Sequence, residues 1–591
     1  MANFVVSPAV TVKEIDLTNV VGAVSTSIAG YVGDFSWGPV EEIVTISDET
    51  VMINRFSKPN DQNYKDFLTA AAFLQYGRNL KLIRTLQDNA NNASTKGSTL
   101  IIKNDDHYNA SSFDDDGYFA ARYPGELGNA LKISYCLADQ TAFDTWEYND
   151  LFDTAPNQSD EAEEKGIFGD EIHVTVVDVT GQFSGIAGTV IERFPYLSLA
   201  SDAKSADGAT NYFPEVLKAR SRYVHFLDFD ETLTVCHAGK TFDYVKTNDA
   251  NTAFFDSSKT LVGSTEDPVV AVVNYQLSGG ADGVTSGNQE RFLGYDLLDD
   301  PETVDINLLI GGDPPDVSTL ATAKTFANYI IAIARRRHDC VAFVSPPLFG
   351  EWGSVDSVDE AGVIEFAKEL TSTSFGVLDS TALKVYDKFN DKYRWISASG
   401  HIAGLCAYTD EVTDPWWSPA GLNRGQLLNV TKLAYNPNRT SRDELYKNRV
   451  NPLVQFPGQG TVLWGDKTLL ARPSAFDRIN VRRLFNVLEK AIATAAKFYL
   501  FEFNDAFTRA SFKNMVEPYL REVKGRRGVY DFLVVCDESN NTPEIIDSNQ
   551  FVADIYIKPA RSINFIVLNF IAVRTGVEFS EIIGMKNDLM T

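Results

Sequence analysis

The sequence predicts a multidomain α/β chain: a discontinuous α/β core, inserted β-rich segments and an α+β C-terminal domain. Three observations predict it. A strand-and-helix rhythm opens the chain, breaks off near residue 90 and resumes near residue 286. Between those points, short strands are separated by polar turn clusters. A long apolar stripe at helical spacing then opens a regular final segment. At 591 residues the chain also exceeds what one hydrophobic core organises. The expected division is an arm over 1–20, an α/β domain from 21–90 with 286–445, inserted domains at 91–185 and 186–285, and a C-terminal domain over 446–591.

Residues 7–17, SPAVTVKEIDL, read as an extended arm, with Val10 and Val12 alternating with polar neighbours before the phase slips to Ile15 and Leu17. TSIAGYVGDFSWGP (26–39) is a small-residue strand closed by a Gly-Pro turn. A helix is expected near Tyr64, with Phe67, Ala70, Ala71 and Leu74 on one face and Gly77 as its stop, then a strand from Leu80 to Leu86. In the inserted region, NDDHYNASSFDDDG and APNQSDEAEEKG read as turns around the strands Ala130 to Cys136 and Glu171 to Val179. After LSGGADG (277–283) come a strand at Asp305 to Ile310, a helix near Thr319 to Arg337 and a strand at Cys340 to Ser345 halted by two prolines. The last segment reads as a helix over Asp477 to Phe498, a second near Asp505 to Val523, and strands at Tyr530 to Cys536, Phe551 to Ile557 and Ser562 to Val573. That final strand is apolar on both faces and so belongs inside a layered fold.

Composition narrows the function. The net charge of −27 argues against nucleic acid or an anionic membrane as partner, since both need a basic surface. No apolar run reaches membrane-helix length, and the N-terminal residues lack a secretory pattern. From Arg472 onward, 16 basic residues face 15 acidic ones, whereas the preceding residues hold 37 against 65. Two readings stay open at this point: the last segment meets an acidic partner, or it is a compact core with few solvated carboxylates. Five scattered cysteines show no metal spacing and read as small buried hydrophobes.

Enzymatic patterns are sparse. In YVHFLDFDETLTV (223–235), Asp228 and Asp230 after an apolar strand resemble the first motif of haloacid-dehalogenase-like phosphatases, in which two aspartates flank magnesium. Ser345 and GGDPPD (311–316) are the available partners, but the acidic spacing departs from that pattern and no lysine is placed to complete it. The competing reading is an acidic turn. Asp105-Asp106 and Asp114-Asp115-Asp116 lack calcium-loop spacing, and LSGGADG lacks a phosphate loop's ending. Trp416 and Trp417 in DPWWSPAG suit either a sugar-stacking surface or a Pro-bounded loop packed onto a core or a neighbour. No cofactor or metal is expected.

The C-terminal run LWGDKTLLARPSAFDRINVRRLFNVLEKAIATAAKFYLFEFNDAFTR (463–509), with MVEPYLREVKGRRG and FVADIYIKPARSINFIVLNFIAVRTGVEFSEIIG (551–584), resembles tail sheath proteins of large contractile-tailed (myovirus-type) bacteriophages. SPAVTVKEID, YVGDFSWGP, AARYPGELGN (120–129) and LSGGADG resemble the same family in the same order. The resemblance implies a non-enzymatic virion subunit, made in the host cytoplasm and assembled as stacked hexameric rings around a tail tube, with baseplate and neck or terminator proteins at its ends. It implies a C-terminal domain against the tube, inserted domains facing outward, and strand-donating terminal arms. On that scheme Val10, Val12, Glu14 and Ile15, with Ile563, Phe565, Val567 and Ile571, are the linking residues. Arg478, Arg482, Lys497, Lys513, Lys524, Arg526 and Arg527 are the tube-facing candidates, unless they pair with Glu489, Glu502 or Glu517 within the chain. The alternatives are a phage-derived contractile injection device and, from another class, the magnesium-dependent phosphatase.

Overall fold

The computed structural model describes residues 25–86, 89–113, 116–259, 269–283, 287–317, 319–347 and 360–564. The expectations placed on Val10, Val12, Glu14, Ile15, Phe565, Val567 and Ile571, on Asp114 and Asp115, and on most of the Ser562 to Val573 strand lie outside those residues.

A seven-stranded sheet carries the chain's first and third portions together. Its order is Val450–Asn451, Gly376–Asp379, Val341–Val344, Leu308–Ile310, Ala29–Gly33, Leu80–Arg84 and Val44–Ile46, parallel throughout except for the last strand. Ala29 lies opposite both Leu80 and Leu308, so the strand nearest the N-terminus joins the two halves. Alternate residues serve opposite layers. Tyr31, Ile310 and Phe343 pack with the helices Tyr64–Leu74 and Ser399–Val412. Val32, Leu309 and Val344 pack with Asn288–Asp296, Leu320–Arg337 and Glu360–Glu369. Both faces of a parallel sheet are thereby covered, as its apolar strands require. The helix expected from Thr319 starts as predicted because Thr319 caps it, accepting from Thr322 N.

The domain extends past the boundary expected at residue 445. The two-residue strand Val450–Asn451 completes the sheet, and Leu453 and Leu463 of the following hairpin lie in the same core. A strand that short has no periodicity to read.

The two insertions expected at 91–185 and 186–285 form a single unit. One antiparallel sheet, in the order Thr189–Ser198, Glu171–Asp178, Leu131–Leu137, Val272–Gln276, draws on both, over a shared core that includes Tyr135, Val174, Phe213, Phe242 and Phe254. Strand pairing across so long a stretch of chain leaves no mark on local sequence. The unit is also more helical than its turn-rich sequence suggests: Asp105–Ala110 and Asp160–Lys165 are helices capped by Asn104 and Ser159. Their caps are turn-type residues, which is why the segments read as turns.

Two glycine-rich motifs meet at the neck of the insertion. Asn129 donates to Gly280 O and accepts from Gly280 N, both at 2.8 Å, and Asp282 accepts from Glu126 N. A β-carbon at Gly280 would lie 2.5 Å from Gly125 O, so only glycine permits this approach. Arg84 donates to Gly38 O and Pro124 O, and Trp37 enters the insert's core edge-on to Tyr123 and Phe183.

On the other layer, Gly400 and Gly404 let two helices touch. A β-carbon at Gly400 would lie 2.3 Å from Thr69 O. Alanine ordinarily improves a helix interior, but Gly400→Ala is expected to destabilise the α/β domain by about 1–3 kcal/mol through overpacking, read as a lower thermal midpoint.

Candidate functional site

In α/β folds, ligands usually bind beyond the carboxyl ends of parallel strands. Here that crevice is filled by the chain's own polar side chains. Tyr31 donates to Asp66 at 2.6 Å, Asp34 N donates to Asp66 at 3.1 Å, and Thr85 donates to Asp34 at 2.7 Å. Arg291 bridges them, paired with Asp66 and 3.6 Å from Asp34, and donates to Val32 O. Across the next strands, the Ser345 hydroxyl donates to Asp379 and accepts from Ser399 N, while Ser399 Oγ accepts from Gly312 N. Asp313, 4% exposed, makes no hydrogen bond of ordinary geometry through either carboxylate oxygen. Burial pushes Asp313 up to about 6 and Asp379 up to about 7. The cleft beside Asp34 and Arg84 measures about 20 Å³, room for a water molecule and not for a substrate.

The phosphatase residues do not gather. Asp230 belongs to the inserted unit, where it caps the Glu231–Val235 helix and accepts from the hydroxyls of Tyr135 and Tyr275. Asp228 accepts from Phe229 N. Ser345 and Asp313 sit by the parallel sheet, in another core. The arrangement around Asp230 is that of an acidic turn closing a strand. Asp105 pairs with Arg122, and no group of three or more metal-ligating side chains is present among the described residues. All five cysteines are buried and free, and burial pushes the thiols of Cys136, Cys236, Cys340 and Cys406 up to about 12.

The other candidate is the C-terminal domain. Helices Ile479–Ala496 and Ala506–Gly525 and the hairpin Val529–Val535 with Asp554–Pro559 close over Leu484, Leu488, Ala491, Phe512, Val516 and Leu520. Trp416, from the α/β domain, completes that core; its indole donates to Arg526 O, and its own carbonyl accepts from Asn480. Trp417 lies beneath the guanidinium groups of Arg424 and Arg527. Of the two readings of DPWWSPAG, the packed loop is the one these contacts fit.

The basic candidates divide by burial. Arg482 is 5% exposed, bridged to Glu489 at 3.1 Å and stacked on Phe375 and Phe476, so it is not available to an external partner. Arg478 is half-buried against Asp466 and Tyr446. Lys513 is half-exposed, 3.8 Å from Glu517. Lys497, Lys524, Arg526 and Arg527 are exposed, Lys524 pairing with Asp531 and Arg526 with Asp414. Glu502 forms no ion pair among the described residues. Sequence reasoning passed over Arg483, which is buried and bound to both oxygens of Asp410 and to Cys406 O. It lies in a run of six buried residues, Ile479 to Leu484, that opens the helix.

Phe498, the expected last residue of the helix, is 74% exposed. The α-helix ends at Ala496 and tightens into a 3-10 turn, Lys497–Tyr499, which shifts the angular phase. The chain then forms a knuckle in which Leu500, Phe501, Phe503 and Phe507 also stand in solvent. At the opposite end of the same helix, Asn480 lines a groove of about 1330 Å³ between the two domains, floored by Trp416 and Trp417. Ile563, the linking candidate that is described, lies exposed on its rim.

Comparison with known proteins follows this architecture. Residues 26–85 match the model of the N-terminal region of tail sheath protein Gp18 domain III, 295–469 the phage tail sheath protein central domain, and 471–572 the phage tail sheath C-terminal domain. The tail sheath protein of Vibrio phage KVP40 is 34% identical, aligned over 98% of this chain and 99% of that one. The tail sheath protein of Enterobacteria phage T4 is 33% identical over the same shares. In fold, the chain is similar to the crystal structure of a sheath tail protein from Listeria innocua, with a TM-score of 0.50 at 11% identity, covering 91% of this chain and 96% of that one.

The buried carboxyls carry a pH dependence. Asp313 and Asp379 sit above the ~3.9 of an unfolded aspartate, so the folded state holds their protons more tightly. Their contribution to stability is complete below about pH 4 and is lost as pH rises through about 6 to 7. Between pH 5 and 8 the wild type is expected to lose about 1–3 kcal/mol per group. Asp313→Asn and Asp379→Asn should each flatten the melting temperature over that range.

Proposed function

This chain belongs to the phage tail sheath family, as a component of the contractile phage tail, and from that premise we propose how its surfaces serve assembly. Copies stack as six-fold rings in a helix around a tail tube, with baseplate and neck proteins at the ends, and contract as one lattice. The chain acts by shape change and not by catalysis, in keeping with a ligand crevice filled by its own side chains. The inserted unit, tethered by the neck at Asn129 and Gly280, faces outward. The C-terminal domain faces the tube.

The observation that carries this reading is the unfinished sheet of the C-terminal domain. The hairpin Val529–Val535 with Asp554–Pro559 has two strands, and among the described residues neither outer edge is paired. Two-stranded sheets are marginal alone, and open edges template further strands. Arms bearing Val10, Val12, Glu14 and Ile15, and Ile563, Phe565, Val567 and Ile571, add strands there from neighbouring copies. Each inter-subunit hydrogen bond nets only ~1 kcal/mol, yet a lattice repeats it many times.

Lys497, Lys513, Lys524, Arg526 and Arg527 are the tube-facing candidates that burial leaves. Exposed ion pairs contribute about 0–1 kcal/mol each, weak enough to release during contraction. A phage-derived injection device is the second sheath reading; relatives aligned end to end come from phages, which favours the virion.

Negative-stain images of the purified protein, intact and lacking residues 1–18, test the scheme. Long striated tubes are expected from the intact chain alone. Tubes from both forms would keep the sheath and remove the arm's linking role. Compact particles under every salt and concentration would count against sheath assembly itself.

A further inference from the structure

In the knuckle at residues 498–507, Tyr499 packs on the domain core while the other large apolar side chains do not. Phe498, Leu500, Phe501, Phe503 and Phe507 are all strongly exposed, and Phe501 touches almost nothing. Five large apolar side chains exposed within ten residues are a concentration of the kind that marks a contact surface. The patch is also held rigid. Phe501 has φ of 71°, a left-handed conformation that a residue with a β-carbon keeps only where its surroundings impose it. Glu502 N donates to Tyr499 O and Asp505 N to Phe503 O, Asn504 is tied to Asn541 and Gln550 O, and Asp505 caps the next helix. A preorganised apolar protrusion loses little freedom when it is covered.

The same chain carries a receptacle of matching chemistry. The groove between the domains is lined by Trp417, Trp464, Tyr530, Arg442, Arg527 and Arg561. None of those three arginines has an ion-pair partner among the described residues, although the protein as a whole is strongly acidic. The groove also holds Asp443 and Asp466, the latter paired with Arg478, and it offers aromatic faces with guanidinium groups outside any ion pair. The knuckle presents phenylalanines with a carboxylate, Glu502, set between Phe501 and Phe503, and that carboxylate also lacks an ion pair among the described residues. Arginine stacks on aromatic faces and binds carboxylates through its planar fork, so one side supplies what the other lacks.

The two features cannot meet within one molecule. Asn480 lines the groove and Ala496 adjoins the knuckle, at opposite ends of the Ile479–Ala496 helix. At 1.5 Å per residue they lie about 24 Å apart on a rigid rod. Complementary patches held at opposite ends of one subunit define a head-to-tail contact, which yields rings or helices according to the rotation it imposes.

We propose that the 498–507 knuckle of one copy seats in the Trp417–Arg527–Arg561 groove of the next, with Glu502 paired to the groove arginines. This contact rests on the proposed helical assembly and adds to it a side-chain interface separate from strand addition.

The test uses the full chain. Phe501→Cys is combined with Tyr530→Cys, bridged by a short bismaleimide during assembly, and scored by denaturing gels and negative-stain imaging. A ladder of linked copies from the double variant, absent from either single variant, is expected. Phe501→Ser with Phe503→Ser should lower assembly at least tenfold, and Glu502→Arg should do the same and be restored by Arg527→Glu. Circular dichroism of the variants separates interface loss from misfolding, since all these side chains are exposed. Tubes without a ladder, or normal tubes from the double-serine variant, would overturn the contact while leaving the sheath scheme intact. A ladder without tubes would support the contact and remove the sheath scheme. No tubes and no ladder would overturn both. Variants that self-assemble normally but lose only a bound tube protein would assign the knuckle to the tube instead.

Discussion

A single buried guanidinium lets a chain leave its domain and return to it. Arg291, fully enclosed, neutralises Asp66 and Asp34 and donates to Val32 O. Its partners precede the insertion, and Arg291 itself lies just after the chain comes back. Neither half of the parallel sheet could close without the other, because two buried carboxylates would remain uncompensated. The central strand Ala29–Gly33, paired with Leu80–Arg84 on one side and Leu308–Ile310 on the other, is the backbone counterpart of that ion cluster. Replacing Arg291 would cost on the order of 3–5 kcal/mol, as breaking a buried pair generally does.

The same logic joins the α/β and C-terminal domains. Arg483 reaches Asp410 and Cys406 O, Arg478 meets Asp466, Lys490 meets Asp305, and Trp416 sits inside the far core. Polar contacts buried among apolar ones fix a relative orientation more narrowly than apolar packing alone. These contacts tie the α/β domain and the C-terminal domain to each other through ion pairs as well as apolar packing.

Elements whose signals are local were legible in the sequence. The helices Tyr64–Leu74, Leu320–Arg337 and Ala506–Gly525 begin within a residue of their expected starts. The interruption of the α/β rhythm was legible too, since a change of texture needs no partner to be seen. Pairing was not: that Val272–Gln276 lies beside Leu131–Leu137, or that Asn129 and Gly280 close the neck, depends on residues far apart in sequence. Nor was phase. A 3-10 turn of three residues ends the helix short of Phe498 and leaves that ring in solvent, whereas periodicity assumes the helix continues. Charge misled at Arg482, whose long stem and flat head are accommodated between Phe375 and Phe476.

The Ile479–Ala496 helix sets unequal terms for evolutionary drift along this chain. Each residue added to a helix turns everything beyond it by about 100° and advances it 1.5 Å. One codon gained there would swing Leu488, Ala491 and Ala495 out of their core and re-aim all that follows. A codon gained in the loop 179–188, between the strands Glu171–Asp178 and Thr189–Ser198, adds only a slowly growing loop-closure term. Over long descent, length variation should therefore accumulate in the inserted unit, while this helix keeps its residue count even where its sequence changes.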